Sequence, residues 1–419
     1  MRAGARVGVV GLGYVGLPLA VAFAEAGSKV VGVDHSRPLV GALARGRSHV
    51  EDIGDERLAA VSAAVRYATS PELLREVDAI LICVPTPLSA NREPDLTALT
   101  AASRAVGRVL RAGQVVVLES TTYPGTTRER LVPLLEEASG LRAGVDFHVA
   151  YSPERIDPGR TDFTLANTPK TVGGLTPACG EAAAAVYATV CETVRLVSSP
   201  DVAEFSKLLE NIFRSVNIAL VNELAMLAER MDLDIREIVD AAASKPYGFM
   251  RFDPGPGMGG HCLPIDPFYL TWRAREYDFV TEFVELAGKI NQQMPYHCVQ
   301  RAERVLNDEG KPVKGSRVVV LGVAYKPGVG DTRESPALKI IILLQALGAD
   351  VRYHDPHAAQ LPQLGLSSAP VDEALDGADL AIVVTAHPHL DYDELASRGP
   401  LVLDLRGVVD RQIAGVRSM

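Results

Sequence analysis

The sequence predicts an α/β protein in which two regions of alternating strands and helices flank a region that is helical throughout. Three observations support this fold class. Short β-branched runs alternate with helical stretches up to about residue 200, helical periodicity alone fills residues 202–306, and the alternation returns near Lys314. Because the apolar runs are continuous, the strands are typical of parallel sheets covered on both faces. We therefore predict domains at residues 1–200, 201–311 and 312–419.

The hydrophobic pattern of each region predicts its elements. In the first region, the predicted strands are 6–10, 29–33, 79–84, 115–118 and 147–150, and the first helix is 17–26. In the middle region, the predicted helices are 202–230, 235–243 and 279–306, with a Gly/Pro-rich loop at 253–260. In the last region, the predicted strands are 318–322, 350–353, 380–384 and 401–405, and the helix is 336–347. The last region is thus a smaller version of the first.

Composition limits the functional classes. The 419 residues carry a formal net charge of −10 and are 47% hydrophobic, which is typical of a globular protein and argues against a nucleic-acid binder. A locally positive site for a phosphate-bearing small ligand is compatible with this charge. No uninterrupted apolar run reaches the ~18 residues of a membrane span. The glycines at 11, 13 and 16 interrupt the N-terminal apolar stretch, which therefore does not resemble a secretory signal.

The cysteines predict a reduced, cytoplasmic protein. Their number, five, is odd, and neither a CxxC pair nor a metal-type spacing occurs, so we expect thiols and no metal site. Cys83 is expected to be a small buried hydrophobe. Three others, Cys179, Cys191 and Cys298, lie in helical contexts that suit structural thiols.

Cys262 stands apart from the other cysteines. It lies in the segment GPGMGGHCLPIDP, a glycine-rich loop whose ordering costs conformational entropy. A cysteine near His261 and Asp266 in a polar loop is a candidate nucleophile, and a structural thiol is the alternative. A second polar pair, Lys207 and Asn211, is spaced four residues apart on a predicted helix and shares one face, a spacing that is also common on exposed helices.

The segment GLGYVG follows the first strand and opens the first helix. Gly11 permits a tight turn, Gly13 lets the backbone approach a pyrophosphate, and Gly16 lets the helix pack on the strand. The helix N-terminus then offers N–H donors and the positive end of its dipole. Asp34 ends the second strand, where it would accept hydrogen bonds from the adenosine ribose and repel a 2′-phosphate, so NAD is favoured over NADP. Arg37 is the counter-indication, because a nearby arginine can accommodate that phosphate.

Two further segments follow strands at the sheet edge where open α/β folds bind ligands. CVPTP (83–87) places Thr86 beside the predicted cofactor, although its prolines also serve simply to end a strand. ESTTYPGTT (119–127) places Thr121 near the nicotinamide, and a turn with local hydroxyl caps is the alternative.

Six segments taken together resemble a known family. GLGYVGLPLA, STTYPGTT, YSPER, KLLENIFRSVNIALVNE, GPGMGGHCLPIDP and AYKPGVGDTRESPA are similar to segments of the nucleotide-sugar 6-dehydrogenases, which include UDP-glucose and UDP-N-acetylhexosamine 6-dehydrogenases. The likeness covers nearly the whole chain, with the segments in the same order. It implies two Rossmann-like domains joined by a central helical dimerisation region, with NAD as cofactor and a nucleoside-diphosphate sugar as substrate.

The resemblance also implies roles for individual residues. The implied catalytic residues are Cys262, Lys207, Asn211, Asp266, Glu154 and Thr121. The implied cofactor contacts are Gly11, Gly13, Tyr14, Val15, Gly16, Asp34, Thr86, Thr121 and Arg333. The implied substrate contacts are Glu154, Lys207, Asn211, Tyr247, Arg251, Gly259 and Lys326. Among these, Cys262 is the nucleophile, and Glu154 is the acid/base group that engages a water or Thr121.

These roles form a consistent mechanism. A primary alcohol loses two hydrides on its way to a carboxylate and uses two NAD⁺ in succession. A thiolate that captures the intermediate aldehyde as a thiohemiacetal permits a second hydride loss to a thioester, which water hydrolyses. Lys207 and Asn211 would stabilise the oxyanion at C6. Two alternatives have no use for the cysteine loop: an ordinary two-electron dehydrogenase with a helical tail, and a non-catalytic NAD-sensing protein.

The cysteine loop also bears on the substrate. It reads GGHCLPIDP, with His261 before the cysteine and Ile265 before the aspartate, whereas UDP-glucose dehydrogenases usually carry a different residue and a lysine at these places. The loop and YSPERIDPG resemble the UDP-N-acetylglucosamine branch more closely. We therefore predict UDP-N-acetylglucosamine as substrate, with UDP-glucose and TDP-glucose as alternatives.

The helix predicted at 202–230 carries a broad apolar stripe. Its members are Val202, Phe205, Leu208, Leu209, Ile212, Val216, Leu220 and Leu224. Burial within one chain is one explanation of the stripe. The resemblance favours the other explanation, a homodimer formed through the central helices.

Overall fold

A computed structural model describes residues 5–89, 93–156, 162–260, 263 and 265–419. The chain divides into two compact units. The first comprises Met1–Glu210 and Phe268–Phe279, and the second comprises Asn211–Pro267 and Val280–Met419. Each unit contains its own sheet of mainly parallel strands, which confirms the predicted α/β class. The domain limits at residues 200 and 311 stay a prediction.

The sheet of the first unit has eight strands. They are β1 (Arg6–Val10), β2 (Lys29–Val33), β3 (Val65–Ala68), β4 (Ala79–Ile82), β5 (Val115–Leu118), β6 (His148–Tyr151), β7 (Lys170–Gly174) and β8 (Val194–Val197). Their spatial order is β3-β2-β1-β4-β5-β6-β7-β8. The strands β1 to β6 run parallel, whereas β7 pairs antiparallel with β6 and β8 follows β7. The order reverses between β1 and β4, where an open α/β sheet forms a crevice for ligands.

Helices connect these strands and cover both faces of the sheet. They are α1 (Gly16–Glu25), α2 (Arg37–Ala44), α3 (Asp55–Ala60), α4 (Thr97–Gly107), α5 (Val132–Ser139) and α6 (Pro177–Tyr187). Alternate residues of β4 belong to different apolar clusters, since Leu81 packs in one cluster and Ile82 in the other. Side-chain caps fix two helix starts, because the hydroxyls of Ser36 and Thr176 accept backbone N–H groups at α2 and α6.

The sequence pattern missed three strands of this sheet. Strands β3 and β8 each contain an arginine, Arg66 and Arg195, and are only partly buried, so they lack the continuous apolar run that predicts a strand. Strand β7 begins with the buried Lys170 and ends with two glycines. Two other strands differ at their ends: β4 stops at Ile82 and β6 runs from His148 to Tyr151.

Four helices form the middle of the chain. They are α7 (Pro200–Arg230), α8 (Ile235–Ala243), α9 (Asp266–Ala274) and α10 (Glu282–Asp308). The sequence pattern predicted α7, α8 and α10 but not α9, which begins shortly after the cysteine loop. The apolar side chains on α7 differ in their burial. Leu208 and Ile212 are buried, whereas Leu220, Leu224 and Leu227 are 53%, 44% and 51% exposed.

The sheet of the second unit has five parallel strands. They are β9 (Arg317–Leu321), β10 (Asp350–His354), β13 (Leu380–Val383), β14 (Leu401–Asp404) and β15 (Val416–Ser418), in the order β10-β9-β13-β14-β15. A short hairpin, β11 (Gln360–Leu361) and β12 (Leu366–Ser367), and the helices α11 (Pro336–Ala346), α12 (Val371–Leu375) and α13 (Tyr392–Ser397) lie between these strands. The order reverses again, between β9 and β13. The strand β15 and the hairpin are too short for their pattern to have predicted them.

No helix in the described ranges is both long enough and apolar enough to cross a membrane.

Candidate functional site

The glycine-rich turn between β1 and α1 lies where the strand order reverses. Gly11 has a φ of +90°, and a Cβ there would stand 2.8 Å from the Cys83 carbonyl oxygen. A Cβ on Gly16 would lie 1.8 Å from the Gly11 oxygen, so α1 can approach this turn only with glycine at that position. A Cβ on Gly13 would meet nothing within 4 Å, which leaves space for a pyrophosphate beside the backbone. The other predicted contacts in this turn are Tyr14 and Val15.

Asp34 follows β2 and lies beside the same turn. Its carboxylate accepts the N–H of Leu12 at 3.0 Å and the N–H of Ser36 at 2.9 Å. These two bonds fix the carboxylate and leave further lone pairs for a ribose hydroxyl. Arg37 is exposed at the start of α2, so the residue that could favour NADP also lies near this edge.

The segments after β4 and β5 are hydrogen-bonded to each other. The Thr86 hydroxyl donates to the Thr121 carbonyl oxygen at 2.7 Å. Tyr269 of α9, which no sequence motif had indicated, donates its hydroxyl to the Thr86 carbonyl oxygen. The predicted cofactor residues Thr86 and Thr121 thus lie side by side on the crevice edge.

Glu154 follows β6, and its carboxylate is held on both oxygens. One oxygen accepts the N–H groups of Arg155 and Ile156, both at 2.7 Å, and the other lies 3.5 Å from the Lys170 ammonium. Burial raises the pKa of Glu154, but the charge of Lys170, the two N–H bonds and the charge of Lys207 outweigh burial and hold that pKa below its ordinary value. The carboxylate is therefore ionised at neutral pH. Lys170 is a buried partner that the sequence analysis missed.

In the second unit, Asn211 of α7 is paired with Asp266 at the start of α9. The Asn211 amide donates to the Asp266 carboxylate at 2.5 Å, and the two residues are 5% and 3% exposed. The sequence predicted both residues for one site, although they are separated by 55 positions. The predicted nucleophile Cys262 and its neighbour His261 lie outside the described residues.

The glycine-rich loop before the cysteine packs against the segment that contains Lys326 and Arg333. A Cβ on Gly259 would stand 2.8 Å from the Tyr325 Cβ, and Gly260, with φ at +86°, would place a Cβ 2.9 Å from the Tyr325 ring. The N–H of Gly260 donates to the Arg333 carbonyl oxygen at 3.2 Å. The two motifs are therefore in direct contact.

A buried asparagine pair holds the other end of this loop, and the sequence analysis missed it. Asn222 of α7 accepts the N–H of Gly255 at 2.9 Å and donates to Asn291 of α10 at 3.0 Å. Asn291 in turn donates to the Ser215 carbonyl oxygen. Both asparagines are at most 4% exposed, so these hydrogen bonds offset the cost of burying their amides.

The predicted substrate contacts Arg251, Tyr247 and Lys326 lie in different surroundings. Arg251 forms ion pairs with Asp240 at 2.5 Å and with Asp253 at 2.8 Å. Its pKa is raised mainly by the hydrogen bond to Asp253 and next by the hydrogen bond to Asp240. Tyr247 is 72% exposed. The Lys326 ammonium lies 5.7 Å from the centre of the Tyr325 ring.

Arg406, after β14, is a further cation at the carboxyl edge of the second sheet. Its Nε donates to the Val384 carbonyl oxygen at 2.7 Å, and a Cβ on Gly255 would stand 2.8 Å from its guanidinium. Burial lowers the pKa of Arg406 to about 10, and the charge of Arg236 acts in the same direction. An arginine directly after a strand in LVLDLRG was the signal that could have identified it.

Asp355 occupies in the second sheet the place that Asp34 occupies in the first, because each follows the strand beside the first strand of its sheet. Its carboxylate is 3% exposed and accepts N–H groups from 323, 324, 357 and 358 as well as the His387 imidazole at 3.1 Å. Burial raises the pKa of Asp355, and these hydrogen bonds lower it well below its ordinary value. No group of His, Cys, Asp and Glu side chains in the described ranges converges as a metal site.

The glycine turn, the acidic residue after β2 and the reversal of strand order define a dinucleotide-dependent dehydrogenase of the Rossmann class. The chain belongs to the UDP-glucose/GDP-mannose dehydrogenase family. The NAD binding domain of that family matches residues 5–191, the central domain residues 201–293 and the UDP binding domain residues 319–411. It is an NAD-dependent nucleotide-sugar dehydrogenase, and the predicted cofactor and class of enzyme are confirmed.

Known relatives match over nearly the full length. The chain is 36% identical over 413 residues to Protein CapL of Staphylococcus aureus, covering 97% of this chain and 96% of that protein. It is 33% identical to the UDP-N-acetyl-D-glucosamine 6-dehydrogenase of Pseudomonas aeruginosa, covering 98% and 99%. A solved structure of the UDP-N-acetyl-D-mannosamine dehydrogenase of Pyrococcus horikoshii matches with a TM-score of 0.90 and 34% identity, covering 99% of this chain and 98% of that one.

Proposed function

We propose that this enzyme oxidises the C6 alcohol of UDP-N-acetylglucosamine to the carboxylate in a four-electron reaction with Cys262 as covalent catalyst. The observation that carries the proposal is the buried pair of Asn211 and Asp266. Burying an amide or a carboxylate is costly unless the group has a hydrogen-bond partner. In this pair, Asn211 belongs to α7 and Asp266 lies four positions after Cys262. Neither a two-electron dehydrogenase nor an NAD sensor has a use for the cysteine loop that precedes Asp266.

The cofactor site is supported by the shape of the glycine turn. Gly13 borders open space, Gly11 and Gly16 admit no side chain, and Asp34 is oriented by two backbone N–H groups. These residues would hold NAD⁺, with Thr86 and Thr121 beside it and Arg333 as a further contact. Each NAD⁺, when bound, accepts one hydride from C6 of the sugar.

The chain's own residues would carry the remaining chemistry. The Cys262 thiolate adds to the carbon of the aldehyde, the resulting alkoxide is stabilised by Lys207 and Asn211, and the thioester formed by the second oxidation is cleaved by water. Asp266 positions that water and Glu154 accepts its proton, since the Glu154 carboxylate is ionised at neutral pH. Hydrolysis releases the carboxylic acid and returns the thiol.

The nucleotide part of the substrate requires cationic and N–H donors on an acidic protein. We assign this part of the substrate to the Gly259 loop, Lys326, Arg251 and Tyr247. Arg406 supports the same assignment, because burial lowers its pKa and an anion nearby would relieve the cost of its charge.

The N-acetylated sugar is supported by the names of similar proteins. Two of them are UDP-N-acetyl-D-glucosamine 6-dehydrogenases, in agreement with the resemblance of the cysteine loop. UDP-N-acetylmannosamine, which differs in configuration at C2, is the second candidate, because relatives and a matching structure act on that sugar by name. UDP-glucose and TDP-glucose remain the non-acetylated alternatives.

A substrate panel tests the proposal. The kcat/KM for UDP-N-acetylglucosamine should exceed that for UDP-N-acetylmannosamine, UDP-glucose and TDP-glucose, because a pocket that pairs the acetamido group leaves polar groups unpaired when only a hydroxyl arrives. Two NADH should form per sugar consumed. At least tenfold better use of another sugar would overturn the substrate, and one NADH per sugar would overturn the four-electron reaction.

We also infer a homodimer formed through α7. Leu220, Leu224 and Leu227 recur at helical spacing on one face of the helix and stay exposed in the single chain. A second copy would bury this face. A cytoplasmic location is supported by Cys83, Cys179, Cys191 and Cys298, which are unpaired thiols in the described part of the chain.

A further inference from the structure

A buried ionic cluster lies directly behind Glu154 in the first unit. Lys170, the first residue of β7, is 2% exposed, and its ammonium lies 2.7 Å from the carboxylate of Glu119 and 3.5 Å from that of Glu154. Glu119 follows β5 and also accepts the hydroxyl of Tyr187, the last residue of α6. One cation thus stands between two carboxylates in the interior of the unit.

Burying such a cluster costs free energy of folding. Removing each charge from water costs several kcal/mol, and buried ion pairs can often be replaced by apolar side chains without loss of stability. The side chains of Glu119 and Lys170 are 0% and 2% exposed, whereas that of Glu154 is 16% exposed. The cluster therefore extends from a fully buried carboxylate to one that solvent can reach. The extension of the cluster to Glu154 suggests that it acts on the Glu154 carboxylate and does not serve only to stabilise the core.

The two carboxylates differ in their electrostatics. Burial raises the pKa of Glu119, and the charge of Lys170 only partly offsets it, so that pKa lies above its ordinary value. The pKa of Glu154 lies below its ordinary value, as described above. Burial lowers the pKa of Lys170, but the charges of Glu119 and Glu154 outweigh burial and raise it. Lys170 is therefore a permanent cation whose field keeps Glu154 ionised.

We propose that Lys170 is a positioning residue for the reaction, which holds the Glu154 carboxylate ionised and aims its free lone pairs away from β7, while Glu119 limits how much of the Lys170 charge reaches Glu154. The proposal rests on the acid/base role of Glu154 in the proposed function. Two backbone N–H groups occupy one oxygen of Glu154 and Lys170 faces the other, so rotation of the carboxylate breaks contacts on both sides.

Among the described residues, other charged and titratable groups also act near Glu154 or on its cluster. Lys207 of α7 lowers its pKa. The guanidinium of its neighbour Arg155 is committed to Glu210 at 2.7 Å and to the Pro169 carbonyl oxygen at 2.6 Å. Burial raises the pKa values of the thiols Cys83 and Cys191, and the charge of Glu119 raises them further while that of Lys170 opposes the rise. Lys170 is the largest positive influence among these groups.

The test is the pH profile of kcat, measured by NADH formation on the full-length enzyme. Lys170→Met should move the acidic limb of the profile to higher pH by at least about one unit, so that activity at a pH below the limb falls about tenfold. Lys170→Arg should keep the limb near its original place, because the charge is retained. Glu119→Gln should move the limb in the opposite direction, to lower pH, because it removes a negative charge from the neighbourhood of Glu154.

The opposite signs separate this role from a structural one, since a loss of stability alone cannot move the limb both ways. Glu119→Gln also keeps the test decisive if Lys170→Met does not fold. The variant Glu154→Gln distinguishes the acid/base role of Glu154 in the proposed function from the positioning role of Lys170. Full activity in Glu154→Gln would refute the acid/base role in the proposed function. If Glu154→Gln is inactive while the Lys170→Met and Glu119→Gln profiles coincide with that of the wild type, only the role of Lys170 is refuted.

Discussion

The carboxylate of Glu204 accepts hydrogen bonds from both the N–H and the hydroxyl of Thr127, at 2.8 and 2.7 Å. Its other oxygen accepts the N–H of Gly125 at 2.7 Å. Glu204 lies on α7 one turn before Lys207, and the turn it holds begins with Thr121. Three hydrogen bonds thus connect the helix that carries one predicted catalytic residue to the turn that carries another.

This relationship predicts a pH-dependent stability. Burial raises the pKa of Glu204 to about 7 in spite of its hydrogen bonds. The folded chain therefore binds more protons than the unfolded chain between about pH 4.5 and 7, and this group's contribution to stability falls as pH rises through that window and is constant above it. Glu204→Gln removes the titration. The wild type should lose stability relative to Glu204→Gln as pH rises from 5 to 7.5, measured by thermal melts of both proteins, and a constant difference would contradict the shift.

Cys262→Ala should prevent formation of the acid. Without the thiol no thioester can form, so the yield of two NADH per sugar should be lost, while the glycine turn that would hold NAD is unchanged and NADH binding should stay within about twofold of the wild type. Cys179→Ala, which removes a buried thiol in α6, is the matched control and should retain two NADH per sugar. A Cys262→Ala enzyme that still yields two would show that the thiol is structural.

Lys207→Ala should lower kcat by about 100- to 1,000-fold, as is typical for loss of an oxyanion donor. The KM should change much less, because the interaction is made mainly in the transition state. The exposed Lys314→Ala is the control and should leave kcat unchanged. Steady-state rates of Lys207→Ala and Lys314→Ala supply the comparison. A Lys207→Ala enzyme with a large rise in KM and an unchanged kcat would place Lys207 in ground-state binding instead.

The wild-type enzyme should prefer NAD⁺ to NADP⁺ in kcat/KM. The Asp34 carboxylate is fixed by Leu12 and Ser36 at the place where the 2′-phosphate would lie. Asp34→Ser should shift the ratio toward NADP⁺ by at least about tenfold, which corresponds to roughly 1.4 kcal/mol. Adding Arg37→Ala to that variant should reverse part of the gain. Equal use of both cofactors by the wild type would refute the role of Asp34.

Light scattering should give twice the chain mass of 44.7 kDa at micromolar concentration. A double variant, Leu220→Glu with Leu224→Glu, should dissociate to single chains, because two charges would be buried at the contact between copies. Val145→Glu changes an apolar residue that is 70% exposed and lies outside α7, and it should remain dimeric. A wild type that is monomeric under these conditions would refute the dimer.

Among the strands of the first sheet, the sequence predicted those with a continuous aliphatic run. The aliphatic runs of β4 and β5 are buried on both faces and were identified within two residues of their ends. The strands β3 and β8 combine apolar residues with an exposed arginine, so their pairing depends on neighbours that no local pattern contains.

The candidate site was predictable where a residue lies in a recognisable motif and unpredictable where it lies outside one. Gly11, Gly13 and Gly16 act within one turn. Lys170 and Glu119 are 51 positions apart, and a lysine in KTVGG carries no local sign that it will be buried. The close approach of the Tyr325 ring to Gly260 likewise joins two segments that are distant in the chain.

The saturation of Asp355 has a consequence for the order of events in a catalytic cycle. Its five hydrogen bonds leave the Asp355 carboxylate unable to accept the hydroxyls of a ribose. Of the two aspartates that follow corresponding strands, Asp34 is therefore the one available to bind an adenosine ribose. In the proposed four-electron reaction, two oxidations at one cofactor site would require the first NADH to depart and a fresh NAD⁺ to enter while the half-oxidised sugar stays in place. The residence time of that sugar would then have to exceed the time of cofactor exchange, which would give the proposed covalent bond to the enzyme a kinetic reason.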